Sequence, residues 1–178
     1  MSFSTAIKTL KGNYSVKLQT KEDTKDVVVS YSRDAIDYID NYLMQAIKNF
    51  NEETVKDDSM LYEYITNSLN AYEANLPNTE LKNTQQKSEL VVNLSYVKKH
   101  FQGDEKKVKV KNQELVMMSA FAEKLLKMLL DETSKVTVGK FRKSTVHDHH
   151  VKLAIIDAPV LLKYYKNPSC ETSEVSGN

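Results

Sequence analysis

Apolar positions recur at three- and four-residue spacing along most of this chain, and that period predicts helices. The clearest pattern is KNQELVMMSAFAEKLLKMLLDE, from Lys111, in which Leu115, Met118, Ala122, Leu125, Leu126 and Leu129 share one helical face. A basic loop, KVTVGKFRKSTV, follows it, and DHHVKLAIIDAPVLLKYY predicts a short helix ending near Tyr165. Upstream, residues 3–18 predict an amphipathic helix of Phe3, Ala6, Ile7 and Leu10, interrupted near Gly12. The polar stretch QTKEDTKD reads as a loop ending in the β-branched run Val27–Val29. Ser32 is placed to cap the helix RDAIDYIDNYLMQAIKNF, whose apolar face is Ile36, Ile39, Leu43, Ala46, Ile47 and Phe50, with Asp34 favourably in the first turn. After the loop NEETVKDD, Asp58 or Ser59 caps a further helix that Pro77 ends. Helical spacing resumes through Leu81, Leu90, Leu94 and Val97, and Gly103 opens the loop QGDEKKVKVKN.

Short helix, loop, long helix, loop, short helix thus occurs twice, as a repeat of pattern without residue identity. One such half cannot bury both faces of its long helix, whereas two crossed long helices can. The expectation is an all-α fold in which residues 33–50 and 114–130 cross as the central pair. With 40% hydrophobic and 28% charged residues the chain has enough apolar material for a core, and four Gly and three Pro disfavour a turn-rich β fold. No apolar run approaches the roughly 20 residues that span a bilayer, so no membrane partner is expected. Cys170 is the single cysteine, which excludes an internal disulfide and points to a reducing compartment. The net charge of +1, with Arg33 and Arg142 the only arginines, puts any interaction with nucleic acid on the placement of the lysines.

DHHVKLAI, with His150, Leu153, Ala154 and Ile155 on the motif, resembles the third helix of histone 2A, and the likeness runs from about Leu90 to Tyr165. SRDAIDYIDNYLMQAI more weakly resembles the central helix of histone 2B, and LPNTEL (76–81) the start of that family's extra C-terminal helix. Fused doublets in this order are found in giant viruses of the Marseillevirus group, and the chain looks like a small, tail-less member of that type. The resemblance implies two consecutive histone folds paired as an intramolecular heterodimer. Residues 1–84 would be the histone 2B-like fold with its extra helix, 85–166 the histone 2A-like fold, and 167–178 a disordered tail. It implies double-stranded DNA held by its phosphates without sequence specificity, and a histone 3–4-type doublet as partner. The particles would be nucleosome-like and package viral DNA in the virion, the viral factory or the host nucleus. The chain departs from the family in three places. Thr145 stands at about the position of the minor-groove arginine, with Arg142 and Lys143 nearby; Ala158, Pro159 and Val160 follow Asp157 where an acidic cluster is usual, leaving Glu132; and basic tails and a long docking segment are lacking.

A head-to-tail pair puts the first loop of one half against the second loop of the other. Lys17, Lys21 and Lys25 are then expected beside Lys135, Lys140, Arg142, Lys143 and Thr145, as one concentrated basic, DNA-binding edge. Lys106, Lys107, Lys109 and Lys111 are expected as further DNA-binding residues on the opposite edge, offset there by Glu52, Glu53, Asp57 and Asp58. His147, His149 and His150 beside Asp148 read as a polar helix start, since structural zinc takes four ligands and no second Cys or His cluster completes the set. The methionines Met117, Met118 and Met128 and the tyrosines read as core and boundary residues. No Gly-rich phosphate loop and no nucleophile with a base at motif spacing appear, so neither an enzyme nor a cofactor is expected. The alternative function is a histone-fold module, for transcription or virion scaffolding, that holds proteins without wrapping DNA.

Overall fold

The computed structural model of the chain describes residues 3–74, 81–102 and 109–165, with the main chain alone at 81–83 and 102. The order is α1 (Ser4–Leu10), β1 (Val16–Gln19), β2 (Thr24–Val27), β3 (Ser30–Tyr31), α2 (Arg33–Lys48), α3 (Glu52–Lys56), α4 (Ser59–Ala74) and α5 (Leu81–Ser88). Then follow α6 (Leu94–Gln102), α7 (Asn112–Lys135), β4 (Thr145–Val146), α8 (Asp148–Asp157) and α9 (Pro159–Lys163). Helix makes up 71% of the described residues and strand 8%, so the fold is mostly helical. Among the described residues no helix is long and apolar enough to cross a membrane. Lys106 and Lys107, residues 76–80 of the LPNTEL segment, Cys170 and the tail from 167 lie outside the described residues.

Helix α7 is the axis. It touches α1, α2, α4, α5, α6, α8 and α9. Fourteen of its 24 residues are buried, and they cover more than the expected face, adding Val116, Ala120, Phe121 and Leu130, while Met117, Lys124, Lys127, Met128 and Asp131 stay partly exposed along the remaining strip. Helices pack on α7 from several directions, so the buried arc is wider than the stripe read from the sequence and contains it. At its midpoint Phe121 is fully buried, its ring 5.1 Å from Phe50 after α2 and 5.0 Å from Tyr164 after α9. Aromatic pairs at such separations add to the area they bury.

The first half differs in detail from its sequence reading. Helix α1 ends at a 3-10 turn, Lys11–Asn13, and the chain then runs extended. β1 and β2 form an antiparallel hairpin in which Val16 faces Val27 and Gln19 faces Thr24. The turn closes where Thr20 N–H donates to Asp23 O (2.9 Å) and the Thr20 hydroxyl accepts from Asp23 N–H (3.1 Å). Ser32 caps α2 as expected, accepting from Ala35 N–H at 3.4 Å. α2 stops two residues before Phe50, and Asn51 caps the extra helix α3 by accepting from Glu53 N–H (3.0 Å). α2 packs on α7, while α4 lies antiparallel along α7, with Tyr64 at Glu123 and Glu73 at Gln113. α5 runs unbroken across residues 84 and 85, and the chain turns after it at Glu89, whose φ is +57°.

Ser119, Glu123, Thr133 and Ser134 are the polar side chains buried on α7, and Glu123 is the charged one. Glu123 is 1% exposed. Its Oε2 accepts from Val91 N–H (2.7 Å) and Val92 N–H (2.9 Å), and its Oε1 from the Tyr64 hydroxyl (2.9 Å). Lys127 Nζ lies 3.9 Å from Oε1. A buried carboxylate needs donors of this number to offset its desolvation. Gln85 braces the same turn, donating to Leu90 O (2.6 Å) and Val92 O (3.0 Å) while accepting from Leu94 N–H (2.7 Å) at the start of α6.

Tyrosine hydroxyls join residues 3–74 to residues 81–165. Tyr38 meets Tyr165 at 2.8 Å, Tyr31 meets Thr133 at 2.8 Å, and Tyr42 donates to Leu161 O at 2.6 Å. Asp58 accepts from Tyr164 (3.0 Å) and Lys163 (2.9 Å). Burial is the main reason the Tyr42 phenol is held well above its ordinary pKa.

Replacing Glu123 by Ala leaves the buried Val92 N–H, the part-buried Val91 N–H and the Tyr64 hydroxyl without their acceptor. The expected loss is about 2–4 kcal/mol in urea denaturation, and a loss below about 1 kcal/mol would contradict its bracing role. Cutting the chain between residues 76 and 79 should give fragments that stay together on a sizing column or unfold when separated. Two fragments that are stable alone and ignore each other would show that the cross-half contacts are dispensable.

Candidate nucleic-acid interface

The loops before α2 and after α7 meet in a parallel two-stranded bridge, with Ser30 facing Thr145 and Tyr31 facing Val146. Ser30 N–H donates to Ser144 O (2.9 Å) and Ser32 N–H to Val146 O (3.0 Å). Short hydroxyl side chains complete the joint: Ser32 Oγ donates to Val146 O (2.7 Å), and Ser30 Oγ lies 3.2 Å from Thr145 Oγ1. Thr145, the expected groove-facing position, is thus engaged within the joint. The bridge sets the first turns of α2 and α8 side by side, and Asp148 N–H donates to Asp34 Oδ2 at 3.4 Å. The Ser32 hydroxyl foremost, with the Asp148 N–H and His147, holds the Asp34 carboxyl down to about 2.

The last turn of α7 widens into a π-turn, Val136–Lys140. π-bulges of this kind recur at functional sites. The turn closes with Phe141 N–H to Val136 O (3.3 Å) and Lys143 N–H to Thr137 O (3.0 Å). Arg142 between them has φ +50°, a left-handed conformation that a side chain normally avoids. Arg142 and the hairpin residues Leu18, Gln19, Thr20 and Lys21 line one open cleft of about 580 Å³.

Lys21 and Arg142 are therefore brought together, with Lys17 and Lys25 exposed on the same hairpin and Lys143 exposed on the adjoining loop. Two other cations of the proposed edge are committed to the chain itself. Lys135 pairs with Asp131 at 2.9 Å and Lys140 with Asp157 at 2.7 Å. The hairpin also carries Glu22, Asp23 and Asp26, the last directly across from Lys17. Asp34 and Asp148 occupy the helix N-termini at the bridge, so phosphates would have to be met by side chains there. The edge is mixed in charge, a correction to the concentrated basic edge expected. Among the described residues no carboxylate lies within ion-pair distance of Lys17, Lys21, Lys25, Arg142 or Lys143.

The opposite edge is also corrected. Lys109 and Lys111 are exposed at the start of α7, where Lys111 N–H donates to Glu114 Oε2 (3.4 Å). The acids expected to offset them are elsewhere. Asp57 and Asp58 share a groove with Met128, about 24 Å along the helix at 1.5 Å per residue, and Asp58 is held by α9. The acids near the start of α7 are Glu114 in its first turn and Glu73, 3.3 Å from Gln113.

The three histidines are packed together. The His149 ring is 4.0 Å from His150 and 5.9 Å from His147, and His147 Nδ1 is 3.6 Å from Asp34 Oδ2. Among the described residues no three His, Cys, Asp or Glu side chains are arranged to hold a metal. His150 is 3% exposed and its Nδ1 accepts from His147 N–H at 3.0 Å, which fixes that nitrogen unprotonated. The residue the sequence reading passed over is Phe141, 41% exposed, whose ring rests 4.8 Å from that of His150.

Burial, then the neighbouring His149 and His147, lower the His150 pKa, against a smaller opposing effect of Asp148. As pH falls below about 6.5 the unfolded chain takes up this proton first. The stability is therefore complete above that pH and declines as pH drops toward the folded-state pKa. His100 is lowered too and adds to the same trend. The melting temperature should fall between pH 7 and pH 5, and less steeply in His150→Asn, which keeps an acceptor but does not titrate. An identical fall in the variant would remove His150 from the account. No family model and no curated protein matches this chain, so its own residues carry the functional argument.

Proposed function

We propose that the chain is a histone doublet, two histone folds fused as an intramolecular pair, that binds the backbone of double-stranded DNA along the β3–β4 edge. It would join a histone 3–4-type doublet in nucleosome-like particles that package viral DNA. The observation that carries this reading is the parallel bridge between the loop before α2 and the loop after α7, the head-to-tail arrangement the resemblance implies. Beside it stand Lys17, Lys21, Lys25, Arg142 and Lys143, whose charges are available to phosphates. Cations so placed bind duplex through counterion release and position the protein without reading bases.

The protein-binding module is kept as a second reading because of two observations. Lys135 and Lys140 are neutralised within the chain, and Asp34 and Asp148 hold the helix N-termini that otherwise receive phosphates. Reconstitution with a histone 3–4-type doublet on DNA, followed by nuclease digestion, separates the two. A protected fragment that depends on this chain supports packaging; a stable protein complex with unprotected DNA supports the module.

The available cations predict a graded response. Changing Lys21, Arg142 and Lys143 together to Ala should weaken binding on every DNA sequence and reduce the slope of log affinity against log salt by about one unit per lost phosphate contact. Changing Lys109 and Lys111 should leave the slope nearly unaltered. Equal losses from the two sets would remove the assignment of this edge.

A further inference from the structure

An exposed aromatic ring alone means little, since soluble proteins expose many apolar atoms. Phe141 is distinguished by how it is held. The π-turn before it and the left-handed Arg142 after it send adjacent side chains to different neighbours: Phe141 onto His149 and His150 of α8, Arg142 into the cleft with the hairpin turn. Its amide is tied to Val136 O, and the underlying His150 is itself buried, so the ring has a firm seat while the residue as a whole is 41% exposed. Arg142 and Lys143 follow it directly, and neither is ion-paired among the described residues. A seated, exposed ring followed by two unpaired cations fits the arrangement by which proteins drive an apolar wedge between base pairs while their charges hold the phosphates.

We propose that Phe141 is such a wedge: with Arg142 and Lys21 on the phosphate backbone, its ring enters the minor groove and partly unstacks one base step. The inference rests on the DNA-binding reading and adds to it a deformation of the duplex. The insertion replaces solvent on the free part of the ring by a base and leaves the His150 contact beneath it in place.

The test is the contour length of a single duplex stretched in the presence of the full-length chain, because an inserted wedge lengthens DNA whereas bending alone shortens it. The wild-type chain should lengthen the duplex. Phe141→Leu, still bulky and apolar, should retain most of that effect, and Phe141→Ala should lose it. Phe141→Ala should also bind about tenfold more weakly, with an unchanged salt slope because no phosphate contact is removed. Thermal melting confirms that both variants are folded, and the ring's exposure makes a large loss of stability unexpected. Lengthening that persists in Phe141→Ala, or wild-type binding without lengthening, overturns the wedge while leaving DNA binding standing. A wild-type chain that does not bind duplex at all overturns both readings together.

Discussion

A single carboxylate in the middle of α7 constrains the rest of the fold. Glu123 takes the N–H groups of Val91 and Val92 on one oxygen and the Tyr64 hydroxyl on the other. Apolar contacts along α7 would tolerate small shifts of α4 or of the turn before α6, because Leu and Ala surfaces repack with modest loss. The carboxylate does not tolerate them. Out of water it has a desolvation penalty of several kcal/mol, offset only while its donors are in place. The position of α4 along α7 and the path of the chain into α6 are thereby set by one residue, and Gln85 repeats the device one turn away.

The joint between β3 and β4 follows a different logic. It is made of backbone and short hydroxyl groups, Ser30, Ser32 and Thr145, which lose little side-chain entropy when ordered. Their spacing brings the first turns of α2 and α8 together, and two helix N-termini side by side concentrate partial positive charge. Asp34 and Asp148 answer that charge from within the chain. The result is a rigid platform at the bridge itself with the uncompensated cations displaced outward, onto the hairpin turn and the loop after the π-turn.

The long elements were legible in the sequence because their signal is periodicity summed over many residues. α7, α2 and α4 appear close to where their apolar spacing puts them, and Ser32 caps α2 as its residue type suggests. What was missed depends on contacts between distant residues or on short local geometry. The alternation of Val16, Lys17, Leu18 and Gln19 was a four-residue signal for β1, easily absorbed into the helix before it. Glu123 carries no signal of its burial, since nothing in the sequence near it names Val91 or Tyr64 as partners. The π-turn at Val136–Lys140 and the left-handed Arg142 carry no composition signal, and they are what expose Phe141. The pairing of Lys135 with Asp131 and Lys140 with Asp157 was open to reading only for the first, at four-residue helical spacing; the second joins residues 17 apart across the loop.

That internal pairing changes how the edge acts on a polyanion. An exposed ion pair contributes at most about 1 kcal/mol, so a bound polyanion would release Lys135 and Lys140 at small cost, but each release would leave a carboxylate facing it. The field of the edge is therefore governed by Lys17, Lys21, Lys25, Arg142 and Lys143, and it is short-ranged, since Glu22, Asp23 and Asp26 share the hairpin and screening at physiological salt acts over about 8 Å. A chain with a net charge of +1 has little long-range attraction with which to gather DNA. Under the proposed DNA-binding reading, contact geometry must then supply what net charge does not, and the exposed Phe141 ring ahead of Arg142 and Lys143 would add an interaction that salt does not screen.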